Sequence, residues 1–214
     1  MDKTTVANLR NNYTLNQLTE NNVSSDPIVQ FTAWFKDALS AELVEANAMV
    51  LSTIKDGKPS ARVVLLKGFD EKGFVFYTNY NSHKGQQLAS NNSACLTFFW
   101  DKLERQVRVE GYMEKVSEEE SNAYFWSRPK ESQIGAWVSS QSEVIEGRDV
   151  LDEKLAYYQQ KFADTEVIPR PAHWGGYVLK VESIEFWQGR PNRLHDRILF
   201  THTGDNWKIE RLSP

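Results

Sequence analysis

The sequence predicts one α+β domain built on an antiparallel β-barrel, and three observations predict it. Short runs rich in β-branched and aromatic residues recur at 49–54, 60–67, 74–78, 94–100, 105–116, 177–187, 196–203 and 207–212, with turn residues between most of them. Strands at that spacing fit an antiparallel barrel and not a parallel sheet, which would need a crossover helix between successive strands. Helical periodicity is confined to a few separate stretches. No repeat, low-complexity tract or change of composition divides the 214 residues, a length that supports one sizeable core.

The elements follow in order. Residues 1–25 are rich in Asn and Thr and poor in apolar side chains, so they are expected to form a mobile arm or lid ahead of a domain spanning 26–214. Asp26-Pro27 supplies an N-cap and a proline at the first helical position, and Ile28, Phe31, Trp34, Phe35, Ala38, Leu39 and Leu43 continue a helix to about Ala46. From residue 48 the period drops to two. Runs 49–54 and 60–67 form a hairpin, with Asp56-Gly57 providing the positive φ its turn needs. Run 74–78 adds a strand, and Ser82 caps a short helix to Asn91. Runs 94–100 and 105–116 form a second hairpin. Ser117 to Glu120 fits a capping box opening a helix that Arg128-Pro129 ends. A last helix lies within 149–162, with Val150, Leu151, Leu155, Tyr158 and Phe162 as its apolar stripe, and three strands close the chain.

Composition excludes several function classes. A net charge of −4 argues against a general polyanion binder, because non-specific nucleic-acid binding needs a basic face that releases counterions. Cys95 is the only cysteine, so no disulfide can form within the chain. No apolar run approaches the roughly 20 residues of a membrane span, and the polar start has no signal-peptide core, so a cytoplasmic protein is expected. Four histidines without an HExxH motif or a cysteine cluster predict no metal site. Nucleophile-elbow, Walker and dinucleotide fingerprints are likewise missing.

The chemistry concentrates in residues 185–197. If the segment is extended, strand alternation puts Arg193, His195 and Arg197 on one side and Leu194 on the other. Two guanidinium groups, an imidazole and the Trp187 indole then suit a flat anionic ligand, although a solvated ion-pair ladder at a turn fits the same charges. Glu185-Phe186-Trp187-Gln188, followed four residues later by Arg193-Leu194-His195-Asp196-Arg197, resembles the signature of the pyridoxamine 5′-phosphate oxidases, and the resemblance runs from about Arg10 to Pro214.

That resemblance implies an FMN-binding split barrel with flanking helices. It implies a homodimer with the flavins at the interface, and oxidation of pyridoxamine or pyridoxine 5′-phosphate by O2 to pyridoxal 5′-phosphate. The stretch Arg62, Val63, Val64, Leu65, Leu66 and Lys67 would bind FMN, with Arg62 on its phosphate and Lys67 turned to the substrate phosphate. From the residues alone, alternation puts Arg62 and Lys67 on opposite faces of a regular strand, where they are equally well two snorkelling ends of a core strand. His83 and Lys84, at a helix start that favours a phosphate, would join Arg62. The family's usual pattern there is Ser-Arg-Lys, so His83 is expected to assist mainly when protonated, with FMN affinity falling as pH rises through about 6 to 8. Tyr77, Thr78, Gln106, Trp187 and Arg197 would complete the cofactor set, with Gln141 and Ser142 reaching in from the partner subunit.

For the substrate, Tyr124, Arg128 and Ser132 would join Lys67 on the phosphate. Arg193 and His195 would lie over the pyridine ring as the catalytic pair, and Arg10 and Tyr13 of the arm would close over it. Without the resemblance, Tyr124 and Arg128 are simply four apart on one helix face. Two other classes stand beside the oxidase. A different split-barrel flavin enzyme would not need Tyr124, Arg128 and Ser132, and a non-catalytic flavin- or pyridoxal-phosphate-binding protein would keep the pocket without turnover.

Overall fold

The computed structural model describes residues 2–9 and 11–214. The chain forms two compact units, one from Met1–Val50, Leu96–Glu110 and Val181–Pro214, the other from Leu51–Cys95 and Gly111–Lys180. Its strands are β1 (Ala48–Lys55), β2 (Lys58–Leu65), β3 (Gly68–Asp70), β4 (Gly73–Asn79), β5 (Ser93–Trp100), β6 (Arg105–Lys115), β7 (Trp174–Gln188), β8 (Asp196–Thr203) and β9 (Asn206–Arg211). They hydrogen-bond in the order β2-β1-β5-β6-β7-β4-β3, and β8 pairs with β7 and β9 with β8. The ladders β3–β4, β4–β7, β7–β8 and β8–β9 are antiparallel. β2 and β3 end the path without pairing, so the sheet is not a closed barrel. The long β7 makes a branch: its first part pairs β4, from Trp174 to Leu179, and its last part pairs β8, from Ser183 to Gln188.

In the first unit, α1 (Lys3–Ala7) is exposed and α2 (Pro27–Ser40) is packed. Asp26 accepts hydrogen bonds from the Ile28 and Val29 amides, satisfying first-turn donors, and Pro27 fits the first turn because no amide is needed there. Glu42 adopts a left-handed φ of 53°, which ends the helix before the expected Ala46. The buried face of α2 sets Phe31 5.2 Å from Phe98 and Trp34 5.2 Å from Phe186, ring centroid to centroid. Burying a side chain the size of Phe31 contributes about 2–3 kcal/mol. Residues 15–20 are tied to the same unit. The Leu18 amide donates to Asp196 Oδ2 at 3.0 Å, Arg190 Nη1 to the Asn16 carbonyl at 2.9 Å, and Arg211 pairs with Glu20 at 2.8 Å.

In the second unit, Asp56 and Gly57 adopt φ of 52° and 73°, the doubly positive turn that matches strand twist in a two-residue hairpin loop. α3 (His83–Ser90) is capped by Ser82, and Gly85 within it has no room for a side chain, since a Cβ would sit 2.0 Å from the Tyr80 carbonyl oxygen. α4 (Glu118–Ser127) starts with half of the predicted capping box: Ser117 Oγ accepts from the Glu120 amide, while the Glu120 carboxylate accepts from Tyr77. α5 (Lys130–Val138) was not foreseen from the sequence. Pro129 reads as a helix breaker, but here it is the N-cap of the next helix. α5 buries Ile134, Ala136 and Val138 against Phe125, Phe162, Ile168 and Trp174. α6 (Asp149–Lys161) uses less of its predicted stripe, with Leu151 and Tyr158 packed and Leu155 exposed. No helix of the described residues is long and apolar enough to cross a membrane.

Candidate active site

The second unit holds a cavity of about 810 Å³ lined by two groups of cations. The first is Arg62 and Lys84. Arg62 Nη1 donates to Thr53 Oγ1 at 2.6 Å and to the Leu51 carbonyl at 3.2 Å, and Nη2 donates to Ser60 Oγ at 2.6 Å and Gln87 Oε1 at 2.9 Å. Lys84 Nζ donates to Thr78 Oγ1 at 3.1 Å and Gln141 Oε1 at 3.0 Å. Every one of these acceptors is neutral, and among the described residues no carboxylate lies within ion-pair distance of either cation. Burial lowers the pKa of Arg62; burial and then the Arg62 charge lower that of Lys84. Two cations that repel each other without a counter-charge form a site for an anion. His83, exposed at the start of α3, lines the same cavity.

The second group surrounds Arg128, which caps the end of α4. Its Cζ lies 4.6 Å over the Trp174 ring, and its buried Nη1 has no hydrogen-bond partner. Burial lowers its pKa, with Tyr124 opposing. A buried donor left unmatched costs about 1–3 kcal/mol, so the group is poised for an acceptor that comes from outside the chain. Tyr77 and Tyr124 stack with centroids 3.8 Å apart, and Tyr77 lies 5.5 Å from Trp174, so the wall is flat and aromatic. Burial and then Glu120 push the Tyr77 phenol well above its usual range, keeping it a neutral donor. Ser132 and Lys67 line the cavity too.

The other expected residues fall as follows. Arg62 and Lys67 face one cavity because β2 ends at Leu65 and Lys67 follows in the turn, where strand alternation no longer applies. Val63, Val64, Leu65, Thr78 and Ser142 are on the wall, whereas Leu66 is buried at 5% exposure and is not. Gln141 and Ser142 line the cavity of their own chain, with Gln141 bonded to Lys84 and Thr78. Sequence reasoning missed Trp174, Ser60, Thr53 and Gln87. Trp174 had a signal: Gly175 and Gly176 follow it, and a Cβ on either would approach Tyr80 or Tyr77 to within 2.2 or 2.8 Å, so backbone and rings are closely packed there.

The first unit holds a cavity of about 610 Å³ lined by Asn11, Tyr13, Arg190, Arg193 and His195 among others. The His195 ring lies 4.6 Å from that of Trp187 and 5.9 Å from that of Tyr13. Gly189 permits this, because a Cβ there would press within 2.7 Å of the Tyr13 ring. His195 Nδ1 accepts from the Arg190 amide at 3.1 Å, so the neutral ring carries its proton on Nε2. Burial and then Arg193 lower the His195 pKa. The extended reading of 193–197 does not hold: Asn192 and Arg193 have φ of 57° and 63°, and β8 begins only at Asp196. Arg197 is therefore not on the wall with Arg193 and His195. It pairs with the buried Glu185 at 2.7 Å instead. Gln106 is half-buried on β6, outside both cavities, and Arg10 lies outside the described residues.

Proteins of similar sequence and fold are known. The family model described as pyridoxamine 5′-phosphate oxidase matches residues 35–162, and that of the pyridoxine 5′-phosphate oxidase C-terminal dimerisation region matches 174–214. A pyridoxine/pyridoxamine 5′-phosphate oxidase of Gloeothece citriformis is 60% identical over 98% of both chains, and one of a Nostoc species is 57% identical over 100% of both. Among solved structures, PhzG from Burkholderia lata, in complex with tetrahydrophenazine-1-carboxylic acid, has a TM-score of 0.86 at 28% identity and covers 94% of this chain and 99% of its own. A pyridoxamine 5′-phosphate oxidase-related, FMN binding protein from Nostoc punctiforme has a TM-score of 0.70 at 17% identity, covering 90% and 100%.

Proposed function

Because this chain belongs to the pyridoxamine 5′-phosphate oxidase family, we propose that it is an FMN-dependent oxidase converting pyridoxine or pyridoxamine 5′-phosphate to pyridoxal 5′-phosphate. O2 is reduced to H2O2, and the amine substrate also takes up water and releases ammonia. The observation that carries this reading is one cavity whose described lining holds Arg62, Lys84, Lys67 and Arg128 and no carboxylate, with Arg62 and Lys84 on neutral acceptors and Arg128 Nη1 unmatched. One cavity that must hold two phosphorylated molecules needs two groups of cations.

The residues present fit FMN. Arg62, Lys84 and His83 would take its phosphate, and Tyr77, Thr78, Gln141 and Ser142 would flank it. Bound FMN supplies the two-electron acceptor that the side chains lack and passes the electrons to O2. Arg128, Tyr124, Ser132 and Lys67 hold the substrate phosphate, and the unmatched Arg128 Nη1 gains its acceptor there. His195, with its proton on Nε2, and Arg193 orient the pyridine ring and stabilise charge on it, so their loss lowers turnover more than flavin binding. Residues 1–25 act as a lid that excludes water, with Tyr13 against Trp187 and His195. The C-terminal match supports a homodimer, in which we place FMN at the subunit interface together with Gln106, Trp187 and Arg197. We take the strands, whose sheet is not closed, as an FMN-binding split barrel.

A related flavin enzyme acting on an unphosphorylated ring has no use for the Arg128 group. Steady-state oxidation of pyridoxine 5′-phosphate against pyridoxine separates the two: the proposal requires strong preference for the phosphate ester, and equal rates would overturn it.

A further inference from the structure

We propose that Thr53, Ser60 and Gln87 are positioning residues that hold Arg62 in a cradle of neutral oxygens, so that its full charge stays available to the phosphate of the cofactor. The inference rests on the reading of this cavity as an FMN site and goes beyond it by naming what presets the cation and why those groups carry no charge.

The geometry is closed. Both hydrogens on each terminal nitrogen of Arg62 are used: Nη1 meets Leu51 O and Thr53 Oγ1, and Nη2 meets Ser60 Oγ and Gln87 Oε1. Thr53, 1% exposed, donates its own proton to Gln87 Oε1 at 2.7 Å, so the two outer residues lock each other as well as the arginine. The guanidinium plane is therefore fixed before any ligand arrives, leaving the Nε–H and the positive charge to act on it. Neither Thr53 nor Gln87 lines the cavity, so neither can serve by touching the ligand. A carboxylate at 87 would bind the guanidinium more tightly than an amide does, yet its charge would cancel that of Arg62 and repel a dianion. Arg197, held by Glu185, shows that other arrangement in the same chain.

The test is the affinity of wild type and Gln87→Glu for FMN and for riboflavin, which lacks the phosphate, read by quenching of flavin fluorescence. The expected result is an FMN dissociation constant raised roughly 30-fold in Gln87→Glu, a riboflavin constant within about twofold of wild type, and an undiminished melting temperature. Unchanged or tighter FMN binding would overturn the inference, since a simple acceptor role predicts that outcome. Equal losses for FMN and riboflavin would overturn it too, by showing a packing effect. If Gln87→Glu does not fold, Thr53→Val should lose FMN selectively while Thr53→Ser retains it, and a Thr53→Val protein with wild-type FMN affinity sinks the idea. A wild type that binds riboflavin as tightly as FMN would overturn the cavity's phosphate assignment itself, a failure distinct from all of these.

Discussion

Glu185 grips Arg197 with both carboxylate oxygens, Nε to Oε1 at 2.7 Å and Nη2 to Oε2 at 3.1 Å, while Nη1 donates to the Ser213 carbonyl at 2.9 Å. Arg108 reaches the same carboxylate at 3.3 Å. Arg197 is thus a neutralised brace, whereas Arg62 is an uncompensated cation. Removing the acid as Glu185→Ala leaves Arg197 without its carboxylate beside a buried space, while Arg108 keeps Glu110. With the Arg197 side chain still 27% exposed, the fold should lose about 2–3 kcal/mol, measured by urea denaturation. No loss would show the pair to be dispensable.

Arg128→Ala should separate function from stability. Each charge-assisted hydrogen bond is worth on the order of 2 kcal/mol, so KM for the phosphorylated substrate should rise roughly 30-fold. The melting temperature should change little, because losing the contact with the Trp174 ring is offset by deleting a buried nitrogen that has no partner. An unchanged KM would remove Arg128 from the substrate site.

His195 should titrate below its ordinary value of about 6.5, because burial and Arg193 disfavour its charged form. With the folded pKa lowered, the neutral ring's contribution to stability is complete above about 6.5 and declines as pH falls toward the folded value. Imidazole NMR titration checks the direction, and Arg193→Gln should move the midpoint upward. A midpoint above 6.5 in the wild type would contradict the assignment.

The Glu20 carboxyl is held at a pKa of about 2, chiefly by the hydrogen bond from Arg211. Its support for residues 15–20 should be complete above the ordinary value of 4.5 and lost as pH falls through about 2. A carboxyl NMR titration should show that midpoint in the wild type and one near 4.5 in Arg211→Gln. The same midpoint in both proteins would rule out Arg211 as the cause.

Much of this architecture was legible in the residues. The hairpin turn at Asp56-Gly57 and the caps Asp26, Ser82 and Ser117 are local signals, and the structure uses each one where it stands in the chain. Open and closed sheets share the same strand pattern, so the branch at β7 was not legible. α5 escaped because Pro129 stops one helix and starts another within a few residues. In the candidate site, residues with unusual chemistry for their place, such as Arg62, Lys84 and Arg128, stood out. Thr53 and Gln87 did not, because a Thr in a strand and a Gln in a helix are ordinary until Arg62 is seen between them. Strand alternation does not extend through 193–197, because Asn192 and Arg193 are left-handed and turn the backbone before β8 begins.

The most direct test mixes FMN-loaded protein with pyridoxine 5′-phosphate without oxygen and follows the visible absorbance of the flavin. The expected result is bleaching that reverses on admitting air, with pyridoxal 5′-phosphate formed in proportion. Flavin that binds yet stays oxidised with both this substrate and the amine would contradict the assigned reaction.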